Sequence, residues 1–458
     1  MKNAEQAAIT PKVMYLKANK DLTSFLISLI SSISFCKSSS LSILHLRINL
    51  LFFILIMNIL IVYSDPLCSC TVKCTYEQSK SLNLVKNCKC NTLSYLNLEE
   101  SHFIDNDIII FQRIGGNNAF VSEDWFQKIQ NIVKKYKSRV ITIYQIDDLL
   151  INTNPYIAKF CEITDYVMIS NATISSYFSQ YNENILTMDT FIDSERCDTV
   201  QPKLLPSNNF KLFWASTGLL GYEFMLELIP TVLKKMKNVS IYVMGGRETA
   251  EQSKYLKKLA KKHNNLHYMS LQSYEKFVSY FKACDVYLNP ISYSTDLIRG
   301  VSSIDFLNAK SPIKYVHAGY FKKPFLSTKG YYGYDCAVIH KFNGYLLENN
   351  VNTWIDTLKK LQSNEKLRKR ISKDAYENVL DNYTLEVHGR RLYDELSKLQ
   401  PKFNKKELDQ NDAVVYEIKK DIDLDKSLNT LIEESLVKIS EQVRHIKELL
   451  SLFNNKTS

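Results

Sequence analysis

Two lysines flank a predicted helix start in the second half of the chain, and their spacing indicates an anion site. Lys310 and Lys314 lie on either side of Ser311 and Pro312. Serine is a common helix N-cap and proline is common at the first helical position, so we predict a helix over 311–319. A helix start presents free backbone N–H groups and the positive end of its dipole, which bind phosphate. The segment therefore predicts a diphosphate site that needs no metal ion.

Loops that follow other predicted strands of the same half add further polar groups. The loop between Pro290 and Ser311 is about twenty residues long, and loops of that length are commonly functional. Two shorter loops contain small residues, which let a phosphate or a sugar approach the backbone. The first of these two loops offers Ser216, Thr217 and Gly218 as contacts to the diphosphate-containing ligand, and the second offers Arg247 after Gly245-Gly246. A solvated arginine is the alternative for Arg247.

The first half of the chain offers a pair of carboxylates. Asp147 and Asp148 follow the predicted strand 139–146, and the carboxyl ends of strands face the ligand cleft in open parallel sheets. A carboxylate there could orient a hydroxyl group or act as a general base. Because adjacent side chains point to different faces, we expect only one of the two to reach a substrate. The alternatives are a helix cap and an ion pair with a lysine.

Alternating strands and helices are predicted to position these residues. Apolar runs typical of buried parallel strands alternate with helical periodicity in residues 57–195 and again in 211–400. This pattern predicts two α/β domains, each a Rossmann-like, doubly wound parallel sheet with helices on both faces, separated by a polar linker at 196–210. The predicted strands are 58–63, 107–112, 139–146, 166–169 and 185–188, followed by 211–215, 239–244, 267–269, 285–289 and 324–327. Such domains leave a ligand-binding cleft between them.

The two ends of the chain differ from the α/β halves. Residues 1–56 contain the apolar stretch 24–35, and a second stretch, 48–62, is shorter than the roughly 20 residues that a bilayer requires. We interpret 1–56 as an N-terminal extension, with a membrane-inserting segment as the alternative. Residues 401–458 carry an apolar stripe of heptad-like spacing from 428 to 453. The stripe predicts either a homo-oligomer or a helix packed back on the body.

Composition narrows the class of protein. A chain of 458 residues exceeds the roughly 250–300 residues of a single core, which favours two domains. The net charge of +10 indicates a solvated lysine-rich surface or attraction to an anionic membrane or a phosphorylated substrate. Basic stripes with interleaved aromatic residues are absent from the sequence, so we do not expect nucleic acid as a partner. We expect a cytoplasmic protein, with contact to the inner membrane face as the alternative.

Half of the ten cysteines lie close together in the sequence. The clustered residues are Cys68, Cys70, Cys74, Cys88 and Cys90. Their spacing lacks the paired C-x2-C of structural zinc sites, so we predict a loop with free thiols rather than a metal site. The remaining cysteines are scattered singly, which is typical of small buried apolar residues.

Residues 208–396 resemble GT-B glycosyltransferases, in particular the retaining family four, called glycosyl transferases group 1. Members share the pattern D-x4-P, then F-N-x-A-K-S-P-x-K-x-x-E, then P-x3-(S/T). The matching residues are Asp285, Pro290, Phe306, Ala309, Lys310, Ser311, Pro312, Lys314, Pro324 and Ser327, whereas Leu307 replaces the asparagine. Further on, residues 343–347 resemble the next strand of the family and residues 364–383 resemble one of its helices.

This resemblance implies transfer of a sugar from a nucleoside diphosphate donor to a saccharide, lipid-linked or protein acceptor, as in polysaccharide biosynthesis. It also implies retention of configuration, without a metal ion or cofactor. The implied donor contacts, in the second domain, are Ser216, Thr217, Gly218, Arg247, Lys310, Ser311, Lys314 and His317. The implied acceptor side comprises Asp147 and a Gln112-Arg113 pair that resembles one in a subgroup. We assign catalytic roles to Asp148, toward the acceptor, and to Lys314, toward the leaving diphosphate.

His317 departs from the family pattern, because members usually carry a glutamate there that commonly accepts hydrogen bonds from the donor ribose. A neutral imidazole accepts only one such bond. The alternative is a histidine that merely packs at the edge of the cleft. Two other functions therefore stay open: a non-catalytic GT-B-like binding or assembly protein, and a nucleotide-sugar epimerase.

Overall fold

The computed structural model describes residues 56–65, 72–116, 121–205, 208–292 and 297–399. The predictions for 1–55, for Cys68 and Cys70, and for 401–458 with its stripe lie outside these residues. The described residues belong to one compact unit that contains two six-stranded parallel sheets. This arrangement confirms the predicted pair of Rossmann-like domains.

The first sheet has the strand order β2-β1-β3-β4-β5-β6. Its strands are β1 (Met57–Tyr63), β2 (Cys88–Ser94), β3 (Ile108–Gln112), β4 (Ile141–Ile146), β5 (Tyr166–Ile169) and β6 (Ile185–Thr187). Every residue of β3 and β4 is buried, because helices cover both faces of the sheet. The helices are α1 (Gln78–Asn83), α2 (Ser101–Asp105), α3 (Glu123–Lys135), α4 (Pro155–Ile163), α5 (Ser175–Ser179) and α6 (Ser194–Asp198).

The second sheet has the order β12-β11-β10-β7-β8-β9. Its strands are β7 (Phe210–Ser216), β8 (Val239–Gly245), β9 (Leu266–Met269), β10 (Val286–Asn289), β11 (Phe325–Thr328) and β12 (Tyr345–Leu347). The helices of this half are α7 (Tyr222–Lys235), α8 (Glu251–Lys262), α9 (Tyr274–Ala283), α10 (Ser303–Asn308), α11 (Ile313–Tyr320), α12 (Tyr332–Ala337), α13 (Val351–Ser363), α14 (Glu365–Asn382) and α15 (Leu385–Leu396). Because each sheet is parallel, the carboxyl ends of its strands lie along one edge, and the candidate loops follow these strand ends.

The cysteine-rich region is not the predicted loop. A π-helical turn (Val72–Glu77) continues into α1, and the strand β2 follows. Cys88 and Cys90 of β2 are buried and alternate with exposed residues, as expected of an edge strand with one covered face. The prediction missed β2 because its outward positions are polar and its inward ones are small. The described cysteines carry free thiols, as predicted.

The last described helix returns to the first domain. Leu392 and Leu396 of α15 share a core with Ile59 and Ile61 of β1. The chain thus crosses between the halves twice, and the crossings meet where the backbone N–H of Ile192 donates to the carbonyl of Tyr383. Among the described residues, no helix combines the length and apolar character needed to cross a membrane.

Candidate active site

The carboxyl edge of the second sheet brings two loops into close contact. Gly245, at the end of β8, has a φ of 139°, and a β-carbon there would lie 1.8 Å from the carbonyl oxygen of Ser216 at the end of β7. Only glycine allows this approach. Ser216 accepts a hydrogen bond from the backbone N–H of Leu220, which fixes the turn around Thr217 and Gly218. Thr217, Gly218 and Arg247 remain exposed at this edge.

Lys314, in the first turn of α11, reaches the same edge. Its ammonium group donates to the carbonyl of Ala215 at 2.8 Å, and the Tyr287 hydroxyl donates to the same oxygen. Burial lowers the pKa of Lys314 to about 8. Among the described residues, no carboxylate pairs with it, so a half-buried cation lies at the carboxyl end of β7. Such a cation is suited to bind an anionic ligand.

The helix start predicted at Ser311 begins two residues later. Pro312 is the N-cap of α11 with a φ of −76° and a ψ of 27°, and no side chain caps the helix. The predicted cap by Ser311 is therefore wrong, because the chain turns at Lys310–Pro312 and Ile313 becomes the first helical residue. The first-turn N–H groups of α11 lack a side-chain partner, which leaves them for water or a ligand.

Lys310 lies farther along the cleft and is paired with the first domain. Its ammonium group is 2.5 Å from the carboxylate of Asp148, which also lies 3.5 Å from Arg113 and 3.8 Å from Arg299. Asp147 binds Arg113 at 2.8 Å. Burial alone would raise the pKa of Asp148, but Lys310, Arg113 and Arg299 together hold it below its ordinary value. The two predicted carboxylates and Lys310 thus meet at one cluster between the domains.

The sequence of this second domain matches a known family. Residues 219–378, which include Lys310, Lys314 and His317, match the profile described as Glycosyl transferases group 1. The chain therefore combines a segment of this family with a fold of two Rossmann-like domains. No curated protein sequence matches the chain significantly.

Solved structures of glycosyltransferases share this fold over three quarters of the chain. An alpha-glucosyltransferase in complex with UDP-glucose and DNA containing an abasic site has a TM-score of 0.56 at 12% identity, covering 75% of this chain and 99% of that one. Anabaena Alr3699/HepE in complex with UDP-glucose has a TM-score of 0.52 at 13% identity, covering 75% and 100%. A glycosyltransferase from Rickettsia africae has a TM-score of 0.52 at 14% identity, covering 75% and 99%. At these identities the likeness concerns the fold.

His317 is engaged by protein groups on both ring nitrogens. Nδ1 lies 2.7 Å from the carbonyl oxygen of Ile313, which can only accept, so Nδ1 carries the proton. Nε2 therefore accepts from the Tyr274 hydroxyl at 3.0 Å. Burial lowers the pKa of His317 to about 3, so the ring is neutral. The imidazole is 5% exposed and has no nitrogen left for a ribose hydroxyl, which matches the packed alternative.

The acceptor-side residues lie at the carboxyl end of the first sheet. Gln112 ends β3 with its side chain fully buried, and neither atom of its amide group has a hydrogen-bond partner. Arg113 follows in the left-handed region with a φ of 53°. Buried amides without partners are uncommon and call for an explanation. In the neighbouring strand, the Gln145 amide instead pairs with that of Gln78.

Three residues of the site region were not predicted. Arg299 belongs to the long loop that the sequence marked as functional, but its contact with Asp148 depends on the packing of the domains. Tyr274 and Tyr177 lie on helices and show no sequence signal that separates them from other tyrosines. Among the described residues, no group of three His, Cys, Asp or Glu side chains is arranged to hold a metal ion.

Proposed function

We propose that the protein is a glycosyltransferase that moves a sugar from a nucleoside diphosphate donor, bound in the second domain, to a hydroxyl acceptor on the first. The observation that carries the proposal is the position of Lys314, a half-buried cation beside the uncapped start of α11. Its ammonium group donates to the backbone carbonyl of Ala215. Two similar folds were solved with UDP-glucose bound. A diphosphate would supply the anion that Lys314 lacks.

The leaving diphosphate gains negative charge as the bond to the sugar breaks. Lys314 and the N–H groups at the start of α11 would stabilise that charge, and the close backbone of Ser216–Gly218 would hold the phosphates in place. Arg247 and Lys310 flank the same edge and extend the positive surface. We also propose that transfer retains the configuration of the sugar and needs no metal ion, as the family resemblance implies.

The acceptor is proposed to lie against Gln112, Arg113 and Asp147. Asp148 is held by three cations with a lowered pKa, which makes it a weak base. We therefore propose that Asp148 orients the acceptor hydroxyl rather than removing its proton. The acceptor would be a saccharide, a lipid-linked molecule or a protein, and a lipid-linked acceptor would bring the cytoplasmic face of a membrane into contact with the enzyme.

Lys314→Met tests the proposal directly. The substitution keeps the length of the side chain and removes its charge, so we expect kcat for sugar transfer to fall by about 10² to 10³, as when one donor to a developing oxyanion is lost. The measurement is nucleotide release with a panel of nucleotide-sugars. Lys276→Met, on an exposed position of α9, is the matched control and should retain full activity. Unchanged transfer by Lys314→Met would overturn the proposed role.

A non-catalytic binding protein is the second candidate, and His317 is the observation that favours it. Family members carry a glutamate at this position, whereas here both ring nitrogens are occupied by Ile313 and Tyr274. Thermal stabilisation by a nucleotide-sugar without release of nucleotide would favour this candidate. Stabilisation together with release would favour the transferase.

A further inference from the structure

One segment of the second domain packs against the first domain beside the proposed donor site. We name residues 298–310 the bridging segment. It begins with a tight turn in which Ile298 and Val301 exchange backbone hydrogen bonds of 2.9 and 3.1 Å. It continues as α10 and ends at Lys310, immediately before the turn into α11. The segment therefore connects directly to the helix that carries Lys314.

Side chains of the first domain hold the bridging segment along its whole length. Five of them donate hydrogen bonds to it: Asn152 to the Gly300 carbonyl (2.9 Å), Ser170 to that of Ala309 (3.0 Å), Asn171 (2.8 Å) and Thr173 (3.2 Å) to that of Asn308, and Tyr177 to the Asp305 carboxylate (2.6 Å). Asp148 of the first domain adds two ion pairs, with Lys310 at 2.5 Å and with Arg299 at 3.8 Å. These contacts fix the spacing between the domains next to the cleft.

Of these five hydrogen bonds, the one from Tyr177 has a charged acceptor, the Asp305 carboxylate, whereas the other four have backbone carbonyls. A hydroxyl that donates to a carboxylate forms a stronger bond than one between neutral groups. Ser302 donates to the same carboxylate oxygen and caps α10, so Asp305 is fixed on its own side as well. Loss of the Tyr177 hydroxyl should therefore weaken the docking of the segment, while the cap of α10 by Ser302 remains.

The ion pair between Lys310 and Asp148 competes with the proposed ligand. Lys310 binds the Asp148 carboxylate at 2.5 Å, and a diphosphate beside α11 would attract the same ammonium group. Because the segment holds Lys310 against Asp148, its docking on the first domain opposes donor binding.

We propose that the bridging segment is a gate to the donor site, closed by its hydrogen bonds to the first domain and opened before the donor can bind. This proposal rests on the proposed function, because it takes residues 310–314 as the place of the diphosphate. When binding requires a minor open conformation, the association rate scales with the open fraction. Weaker docking of the segment should therefore speed association.

Tyr177→Phe, with Thr173→Val as a second variant, tests the gate. The N–H groups of Ala309 and Lys310 donate to Asp305 and Leu307 within α10, and a helix of six residues opens readily unless it is docked. We expect their hydrogen exchange to become about tenfold faster in Tyr177→Phe, because a bond to a charged group contributes on the order of one factor of ten or more. UDP association, followed by stopped-flow tryptophan fluorescence, should accelerate by a similar factor. Thr173→Val removes a hydroxyl that donates to the Asn308 carbonyl and to Asn171 Oδ1, both neutral groups, and should give a smaller change in the same direction.

Tyr136→Phe is the matched control. It removes a tyrosine hydrogen bond of 2.7 Å to the carboxylate of Glu100 within the first domain, away from the segment. Exchange at Ala309 and Lys310 should keep its wild-type rate in this control. Equal exchange rates in Tyr177→Phe and Tyr136→Phe would overturn the gate, as would faster exchange with unchanged UDP association. If UDP binds neither wild type nor variant, the proposed function fails, whereas the exchange rates still decide whether Tyr177 holds the segment closed.

Discussion

Lys314 is a cation that burial has made easier to deprotonate. Its pKa is lowered to about 8, and its ammonium group donates to the carbonyl of Ala215. A bound diphosphate would raise that pKa again, because a nearby negative charge favours the protonated form. Since the pKa is higher in the complex, the affinity that Lys314 contributes is complete below pH 8 and is lost as the pH rises above it.

We therefore expect UDP binding to weaken above pH 8. The dissociation constant should rise by up to about tenfold per pH unit until the pKa of the complex is passed, because one proton is taken up on binding. Titration calorimetry between pH 7 and pH 10 measures the effect. Lys314→Arg keeps a permanent charge and should show a flat profile over this range. A rise of the same size in Lys314→Arg would assign the dependence to another group.

Sequence patterns predicted which residues belong to the site better than they predicted the contacts of those residues. Lys310 and Lys314 were predicted from their spacing around a helix start, which is a local property of the chain. The cap by Ser311 was wrong, because the turn that shifts the helix start to Ile313 depends on how the preceding segment is docked. The pairing of Lys310 with Asp148 joins residues 162 positions apart, and no local pattern encodes it.

The helices and strands show the same division between local and distant causes. Apolar runs predicted β1, β3 and β4 nearly to their ends, because burial on both faces demands such runs. The strand β2 was missed, since half of its residues face solvent and its inward residues are small. The return of α15 to the first domain was not predicted either, because its apolar stripe fits either sheet equally well.

Gly389 explains how α15 can pack closely on α1. A β-carbon at this position would lie 2.0 Å from the carbonyl oxygen of Ser81 in α1. Alanine is a better helix former than glycine by about 1 kcal/mol, so an isolated helix would gain from Gly389→Ala. Here the backbone of α1 blocks the methyl group, and the two helices must move apart.

We expect Gly389→Ala to lower the free energy of unfolding by about 1–3 kcal/mol, the usual cost of overpacking. Urea denaturation followed by circular dichroism measures this change. Gly218→Ala is a suitable control for stability, because a β-carbon at Gly218 would have no atom within 4 Å. A stability of Gly389→Ala equal to or above that of the wild type would show that α15 is not packed against Ser81.

Two neutral histidines are buried in different parts of the molecule. His317 lies in α11, and His388 of α15 stacks on Phe191 with 4.0 Å between the ring centres. Burial lowers the pKa of each imidazole to about 3. In the unfolded chain each regains an ordinary pKa near 6.5. The unfolded chain therefore binds more protons between these values, and the folded protein loses stability as the pH falls below about 6.5.

The whole protein should consequently be sensitive to mild acid. Each histidine should cost up to about 1.4 kcal/mol of unfolding free energy per pH unit below 6.5, so about 2 kcal/mol at pH 5. His388→Phe keeps a ring to stack on Phe191 and removes the titrating group, so its stability should fall by about 2 kcal/mol less than that of the wild type between pH 7.5 and pH 5. Urea denaturation at both pH values gives the difference, with His263→Gln at the end of α8 as the control that should keep the wild-type dependence. An identical loss of stability in His388→Phe and the wild type would mean that His388 does not become protonated when the protein unfolds, and that carboxylates account for the acid sensitivity.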